Sequence, residues 1–254
     1  MTTYIKALAA CLLSIAMIGC TIQEQPTQSG LLRSNFQIEH MGMQTDLYTL
    51  TNDNGMEVCF TNFGGRIVSI LVPDRHGNML DVCLGHDSIA DYIRYGYQGC
   101  NFGALIGRYG NRIKDGKFTL DGIEYQLPRN NDGNCLHGGG DIAFHNRMWQ
   151  AQPINSHSIA FTTISPDGED GFPGNLSVKV TYTLTNDNAI TISYEATTDK
   201  PTVINLTNHC YFCLSGDPTR DVMDEVLYLN ADAYTPVDAN VAVTGEIATV
   251  ENTP

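Results

Sequence analysis

Two long alternating runs late in the chain constrain the fold more than any other feature. Residues 176–184 (LSVKVTYTL) alternate apolar and polar side chains, 186–188 form a turn, and 189–196 (AITISYEA) alternate again. Strict alternation is typical of strands with one buried face. A turn of so few residues returns the second strand antiparallel to the first. The sequence therefore predicts an antiparallel pair of strands here.

Shorter runs of the same kind surround this hairpin. The predicted strands are residues 56–60, 66–72, 80–84, 117–120 and 123–127, with weaker candidates at 226–229 and 248–251. Asp121-Gly122 between two alternating runs is a strong hairpin signal. Only residues 88–94 suggest a helix, and a short one. Closely spaced strands without intervening helices predict an all-β antiparallel sandwich or barrel, which we place in one domain at residues 32–254.

The first residues have the character of an export signal. Residues 7–18 are apolar, follow Lys6, and are too short to span a bilayer comfortably. They end at Met-Ile-Gly-Cys, which resembles a bacterial lipobox, so we expect a lipoprotein signal peptide at 1–19, lipidation of Cys20 and a polar tether at 20–31. Ordinary signal cleavage and a short anchor helix are the alternatives. The expected location is the bacterial cell envelope, periplasmic or at the cell surface, with membrane contact through the lipid anchor alone.

Charge narrows the choice of partners. The chain has 14 Lys and Arg against 28 Asp and Glu, a formal net charge of −14. This field repels phosphate backbones, so nucleic acid is excluded as a partner and phosphorylated sugars are disfavoured. A free, neutral monosaccharide is not repelled by this negative field and is compatible as a partner.

Six cysteines lie beyond the predicted tether. An even number in an exported protein is compatible with disulfides, but irregular spacing and apolar neighbours favour buried free thiols. Cys210 and Cys213 form a CxxC without the second ligand pair that a zinc site needs. We therefore predict no metal site.

Four segments contain polar groups that a plain β-core does not need. They are GRYGNRI at 107–113, NCLHGGG at 134–140, SPDGEDGFPG at 165–174 and VINLTNHCYF at 203–212. Asn and Arg offer several hydrogen-bond donors, glycines allow a close backbone approach to a ligand, and a histidine can transfer protons. Taken singly, the same segments are equally typical of a surface turn, a glycine-rich loop, a structural loop framing a site, and a paired core histidine.

Together, in this order, the four segments resemble the aldose 1-epimerase family. They are similar to its G-R-x-x-N-R-I, N-x-L-H-G-G, S-P-D-G-E-E-G-F-P-G and N-L-T-N-H-x-Y-F-N-L motifs, and VTGEI at 243–247 is similar to its P-T-G-E-I. The resemblance runs from Asp46 to the last residue. It implies a large antiparallel β-sandwich, the galactose mutarotase-like supersandwich, with an open sugar cleft. Cys210 and Cys213 stand where the family usually has Ser and Asn.

The resemblance also implies roles for individual residues. Asn111, Arg112 and His137 would hold sugar hydroxyls, and His209 would be the general acid at the ring oxygen. The reaction would interconvert α- and β-anomers of free hexoses such as glucose or galactose by acid/base ring opening and closure. No metal or organic cofactor is needed, because no hydride or electron moves.

The same resemblance implies a general base, a Glu beyond a T-P-F-D motif that would begin where residue 254 stands. We therefore expect the domain to be incomplete at the C-terminus, the base to be absent from these 254 residues and activity to be impaired. Glu169 and Glu246 belong to other motifs and are not substitutes. The alternative is a non-catalytic surface carbohydrate-binding protein that uses the same ligand groups.

Overall fold

The computed structural model describes residues 24–251, and strands dominate its regular structure. In chain order the strands are β1 (Glu39–His40), β2 (Met43–Gln44), β3 (Leu47–Thr51), β4 (Glu57–Thr61), β5 (Arg66–Pro73), β6 (Met79–Asp81), β7 (Leu105–Ile106), β8 (Arg112–Ile113), β9 (Lys117–Leu120), β10 (Ile123–Gln126), β11 (Cys135–Leu136), β12 (Gln150–Asn155), β13 (Ser158–Ser165), β14 (Leu176–Leu184), β15 (Ile190–Thr198), β16 (Thr207–Asn208), β17 (Ala233–Tyr234) and β18 (Ala248–Thr249). One α-helix, α1 (Ile89–Gly96), lies between β6 and β7. Short 3-10 turns occupy Arg33–Phe36, Lys114–Gly116, Phe144–Asn146 and Glu169–Gly171.

Two four-stranded antiparallel sheets form the body of the domain. One has the order β3-β4-β5-β6 and the other β12-β13-β14-β15, so each strand pairs with its neighbour in sequence. The hairpin predicted from the alternating runs is β14–β15, paired without interruption from Leu176↔Thr198 to Leu184↔Ile190. The prediction of an all-β, large antiparallel β-sandwich is confirmed.

The main core joins the two sheets face to face. Every second side chain of β14 is buried, as the alternation predicts. Tyr182 of β14 lies with its ring centroid 4.9 Å from that of Phe60 on β4, and Phe161 of β13 packs edge-on against Tyr182 at 5.9 Å. Burying side chains of this size contributes about 1.5–3 kcal/mol each, so this aromatic contact is a main tie between the sheets.

Outside the two sheets, the predicted helix is present and one predicted strand is absent from the described residues. The helix expected at 88–94 is α1, and the hydroxyl of Ser88 caps it by accepting from the backbone N–H of Asp91 at 3.2 Å. The strand proposed at 226–229 is wrong, since these residues are in no strand and Val226 is 95% exposed. No neighbouring strand among the described residues pairs with this segment, and propensity alone does not form a strand.

The structure describes only part of the region predicted to be a signal peptide and tether. The predicted signal peptide and Cys20 lie outside the described residues. Of the predicted tether at 20–31, the second half is docked on the domain, because the backbone N–H groups of Gln28 and Ser29 donate to the Glu57 carboxylate at 3.0 Å and Leu31 is buried. The packed structure therefore begins before residue 32. No helix within residues 24–251 is long and apolar enough to cross a bilayer.

Candidate functional site

Short strand pairings place His209. Strand β16 pairs with β7, with Thr207 opposite Ile106. The ladder continues past β16, where the N–H of His209 donates to the carbonyl of Ala104 at 2.9 Å and its carbonyl accepts from Gly103 at 3.0 Å. Because both backbone groups are engaged, the backbone that carries the imidazole is anchored to the chain just before β7.

A second pairing places His137 against the Asn111–Arg112 turn. Strand β11 pairs with β8, with Leu136 opposite Arg112. Beyond the pair, Asn111 and His137 both adopt left-handed backbone conformations (φ 61° and 55°), and the His137 N–H donates to the Asn111 carbonyl at 3.0 Å. Such conformations are uncommon outside glycine, and here they occur in two residues whose backbones are hydrogen-bonded to each other.

The contact between these two residues also fixes the tautomer of His137. The backbone N–H of Asn111 donates to His137 Nδ1 at 3.1 Å, so in the neutral ring the proton is on Nε2. Burial, followed by the positive charges of His209 and Arg112, lowers the pKa of His137 to about 4. At neutral pH His137 is therefore a neutral Nε2–H donor, suited to a hydroxyl oxygen.

The two histidines meet edge to face. The ring centroids of His137 and His209 are 5.1 Å apart at an interplanar angle of 86°. His209 is half-buried, and its other side rests on Tyr211, with centroids 5.0 Å apart. Burial is also the main cause that lowers the pKa of His209 below its usual value. The His209 ring is therefore neither fully buried among apolar side chains nor fully exposed to solvent.

Arg112 is held by two amide oxygens. Its Nε donates to Asn131 Oδ1 at 2.9 Å, and Nη1 donates to Asn111 Oδ1 at 3.2 Å. A guanidinium has five N–H donors, so these two contacts orient the group while leaving donors for a ligand. The four residues, predicted from three motifs, form a connected series: Arg112 contacts Asn111, Asn111 contacts His137, and His137 contacts His209.

A polar cleft opens beside His137. It has a volume of about 400 Å³ and is lined by His137 together with Gly96–Gly99, Asn101, Asn130, Asn131, Leu136, Gly139–Asp141, His145 and Asn146. Three of its buried polar atoms have no hydrogen-bond partner among the described residues: Asn101 Oδ1, His145 Nδ1 and Asn146 Oδ1. Buried polar atoms normally have hydrogen-bond partners. These three atoms of the cleft are therefore suited to bind hydroxyl groups or ordered water.

A larger space lies elsewhere and has a different character. A groove of about 640 Å³ runs over the outer face of β13–β15, where Met43, Met148 and Ile164 contribute apolar surface. None of the four predicted site residues lines it. Of the four, His137 lines the smaller cleft, whose polar lining suits a hydroxyl-rich ligand better than this apolar groove does.

The segment at 165–174 is a structural frame, as the sequence suggested. Buried Arg108 reaches into it and donates to Ser165 Oγ at 2.8 Å and to the carbonyls of Ser165, Pro166, Pro173 and Gly174 at 2.7–2.9 Å. Glu169 of the frame forms a salt bridge with Arg147 at 2.5 Å and accepts from Ser165 Oγ. These contacts give Glu169 a structural role, which supports its exclusion as a base.

The glycines of the 134–140 loop serve a different purpose from the one expected. A Cβ on Gly138 would lie 2.0 Å from the carbonyl oxygen of Gly107, so this glycine allows the loop to approach the chain's own backbone. The close approach seats His137 next to the Asn111 turn. The expectation of a close approach to a ligand is thus replaced, for Gly138, by packing.

Sequence reasoning missed several cleft residues. Asn130 fixes the glycine-rich loop by donating to the carbonyls of Leu136 and Gly139 at 3.0 and 2.9 Å, and Asn131 orients Arg112. The polar run at 129–132 (RNND), directly before the glycine-rich motif, was the available signal. Asn101 and His145 carry no motif that would have singled them out.

The fold and the site together define a class: an antiparallel β-sandwich protein with a polar, histidine-containing cleft beside an Asn–Arg pair. Comparison with known proteins gives the family. The aldose 1-epimerase family model matches residues 46–254. Galactose mutarotase from Rattus norvegicus is 41% identical over 212 residues, 84% of this chain and 60% of that protein. Aldose 1-epimerase from Escherichia coli K12 is 41% identical over 197 residues, 78% of this chain and 56% of that protein.

Solved structures of similar fold point to the same family. A GalM/aldose epimerase homologue from C. elegans is similar with a TM-score of 0.74 at 30% identity, covering 82% of this chain and 62% of that one. Galactose 1-epimerase from Lactobacillus acidophilus NCFM gives 0.73 at 30% identity, covering 85% and 62%. The chain therefore belongs to the aldose 1-epimerase family. It spans about three-fifths of the length of the relatives it matches.

Proposed function

We propose that this chain carries the sugar-binding and acid-donating part of an aldose 1-epimerase site for free hexoses. The observation that supports the proposal most strongly is the edge-to-face contact of His137 and His209, whose ring centroids are 5.1 Å apart. The backbone N–H of Asn111 donates to Nδ1 of the same His137 ring. Membership of the family supports the reaction class. Free glucose and galactose are the proposed substrates.

Anomer exchange requires the ring to open and close. A base takes the proton of the anomeric hydroxyl while an acid gives a proton to the ring oxygen, so the bond between C1 and the ring oxygen breaks and an open-chain aldehyde forms. Rotation about the C1–C2 bond and reversal of both proton transfers close the other anomer. Protons are returned at the end, and the enzyme supplies only two groups that titrate within reach of the working pH.

His209 is the proposed acid. Its lowered pKa makes the imidazolium a stronger acid than a free histidine, although a less populated one at neutral pH. The neutral ring still carries one N–H that can hydrogen-bond the ring oxygen. Charge building up on that oxygen as the ring opens favours the protonated form of the imidazole at the moment it is needed.

The other three residues are the proposed substrate ligands. His137 Nε2–H donates to one hydroxyl, while the fork of Arg112 and the amide of Asn111 bind neighbouring hydroxyls. Because Asn131 holds Arg112 and the Asn111 N–H holds His137, little side-chain entropy is lost when the sugar binds.

The rate of anomer exchange depends on both proton-transfer groups. The family resemblance implies a base carboxylate in a segment that these 254 residues do not include, and each proton-transfer partner typically contributes about 10²–10⁴-fold. The 254-residue chain is therefore proposed to bind hexose and to turn it over slowly. Its location in the cell envelope through a lipid on Cys20 remains a proposal from the sequence.

Two measurements on one protein sample test this. Calorimetric titration with D-galactose measures binding, and polarimetry with freshly dissolved α-D-glucose or α-D-galactose measures anomer exchange. We expect binding that is weakened by Arg112→Met, and slow exchange that His209→Asn removes. His76→Asn, in an exposed turn, is the matched control and should change neither.

Each outcome is informative. Absence of sugar binding would refute the proposed site. Rates as fast as those of the full-length relatives would refute the expectation of slow turnover. Binding with no exchange above the spontaneous rate, unchanged by His209→Asn, would instead favour the non-catalytic carbohydrate-binding alternative.

A further inference from the structure

We propose that Cys83 and Cys210 form an oxidisable pair that closes to a disulfide and fastens the segment carrying His209 to the chain just after β6. The two residues are 127 positions apart in sequence, yet their Sγ atoms lie 3.6 Å apart. The sulfurs need to approach by only about 1.5 Å to reach the bond length of about 2.05 Å. Backbone geometry alone brings the two thiols together, whatever reaction the neighbouring histidine takes part in.

Backbone pairing brings the two side chains to the same face. Cys83 pairs with Phe212 in an antiparallel bridge, flanked by hydrogen bonds from Leu84 N to Tyr211 O and from Cys213 N to Val82 O, both 2.9 Å. Side chains two positions apart on a strand share a face, so Cys210 lies on the same face as Phe212 and diagonal to Cys83.

The alternative pairing within the CxxC is disfavoured by the same geometry. Cys213 is three positions from Cys210 and therefore on the opposite face of an extended chain. Its Sγ is engaged with Ser215 Oγ and with the carbonyl of Asp217, each at 3.4 Å. All six cysteines of residues 24–251 are free thiols in this structure, so it represents the reduced form.

Exposure distinguishes the roles of the two thiols. Cys210 is half-buried and lines an open cavity of about 300 Å³ beside Ile190, Ile192 and Phe212, so a small disulfide can reach it. Cys83 is buried, and its hydrogen bond with Cys210, together with burial, raises its pKa above the usual value. Cys210 is therefore the thiol that reacts first.

The oxidation is an ordinary thiol–disulfide exchange with glutathione disulfide as the oxidant. The Cys210 thiolate attacks one sulfur, forms a mixed disulfide and releases one glutathione thiolate. Cys83 then loses its proton to that thiolate and attacks the Cys210 sulfur, which releases the second glutathione as a thiolate; this takes up from solvent the proton that Cys210 lost on ionising. Two protein thiols are oxidised, and one glutathione disulfide is reduced to two thiols.

The consequence for the fold is a covalent tie behind the candidate site. The bond would join the chain after β6 to the residue next to His209 and close a long loop. Crosslinks that close long loops restrict the unfolded chain most, so oxidation should raise resistance to urea. It should also hold the His209 segment more firmly against β7, with which β16 pairs.

Peptide mapping of the intact chain tests the pairing. Purified protein is equilibrated with reduced and oxidised glutathione at a series of ratios, free thiols are alkylated, and non-reduced digests are analysed by mass spectrometry. We expect a crosslinked peptide containing Cys83 and Cys210, lighter by two hydrogen atoms than the sum of its parts. A Cys210–Cys213 link, an intermolecular link, or no disulfide at the most oxidising ratio would each overturn the proposal.

Urea unfolding of matched variants tests the consequence. Oxidation should raise the unfolding midpoint of the parent chain and of Cys213→Ser. It should leave the midpoints of Cys83→Ser and Cys210→Ser unchanged, and using both variants guards against one that folds poorly. A rise on oxidation that persists in both of these variants, or is lost in Cys213→Ser, would contradict the assigned pair.

Discussion

Buried His145 should make the stability of this protein fall in mild acid. His145 is 7% exposed, and its Nδ1 has no hydrogen-bond partner among the described residues. Burial, followed by the nearby positive Arg66, lowers the pKa of His145 to about 3. An unfolded histidine has a pKa of about 6.5. The folded chain therefore resists a proton that the unfolded chain accepts.

The size of the effect follows from this difference. The contribution of His145 is complete above pH 6.5 and is lost as the pH falls from there towards 3, because only the unfolded chain gains a proton in that window. Each pH unit within the window costs about 1.36 kcal/mol, so the free energy of unfolding at pH 5.0 should lie about 2 kcal/mol below its value at pH 7.5 from this residue alone.

The assay is urea unfolding at pH 7.5 and 5.0 of the parent chain, His145→Gln and His76→Gln. Glutamine is neutral at both pH values, so His145→Gln should lose about 2 kcal/mol of the parent's pH dependence. His76→Gln, altered in an exposed turn, should retain the parent's pH dependence. A pH dependence in His145→Gln equal to that of the parent would refute the reasoning.

Three further predictions follow from the site and its supports. Glu169→Gln removes the charge that faces buried Arg147 and should lower the free energy of unfolding by roughly 3–5 kcal/mol in urea; a loss below about 1 kcal/mol would count against that role. Gly138→Ala forces a Cβ against the Gly107 carbonyl and should weaken galactose binding by displacing the loop, whereas unchanged affinity would contradict the packing argument. The exposed apolar residues at 226–229 predict concentration-dependent association in light scattering; a monomer at all concentrations would argue against it.

Much of the fold was predictable because its strongest signal is local. The alternation in residues 176–184 requires one buried face, and the structure has β14 at those residues with that face in the core. Asp121-Gly122 likewise defines the turn between β9 and β10. Residues 226–229 were predicted wrongly because strand propensity needs a pairing partner, which pattern alone does not reveal.

The candidate site was predictable only where a motif marked it. Asn111, Arg112, His137 and His209 were found through their motifs, and the structure places them side by side. His145 and Asn101 line the cleft beside His137 without any local signal, since their importance comes from burial without a partner among the described residues, a property of the folded chain alone. The structural role of Arg108 was missed for the same reason, because its acceptors are more than fifty residues away in sequence.

The central claim is that His137 and His209 face one bound hexose. The most direct measurement is NMR of the histidine ring signals, in protein labelled at histidine, during titration with D-galactose. The signals of His137 and His209, whose rings lie 5.1 Å apart, should shift together with a single dissociation constant while those of His76 stay in place. Shifts of only one of the two rings, or of neither at saturating sugar, would contradict the account.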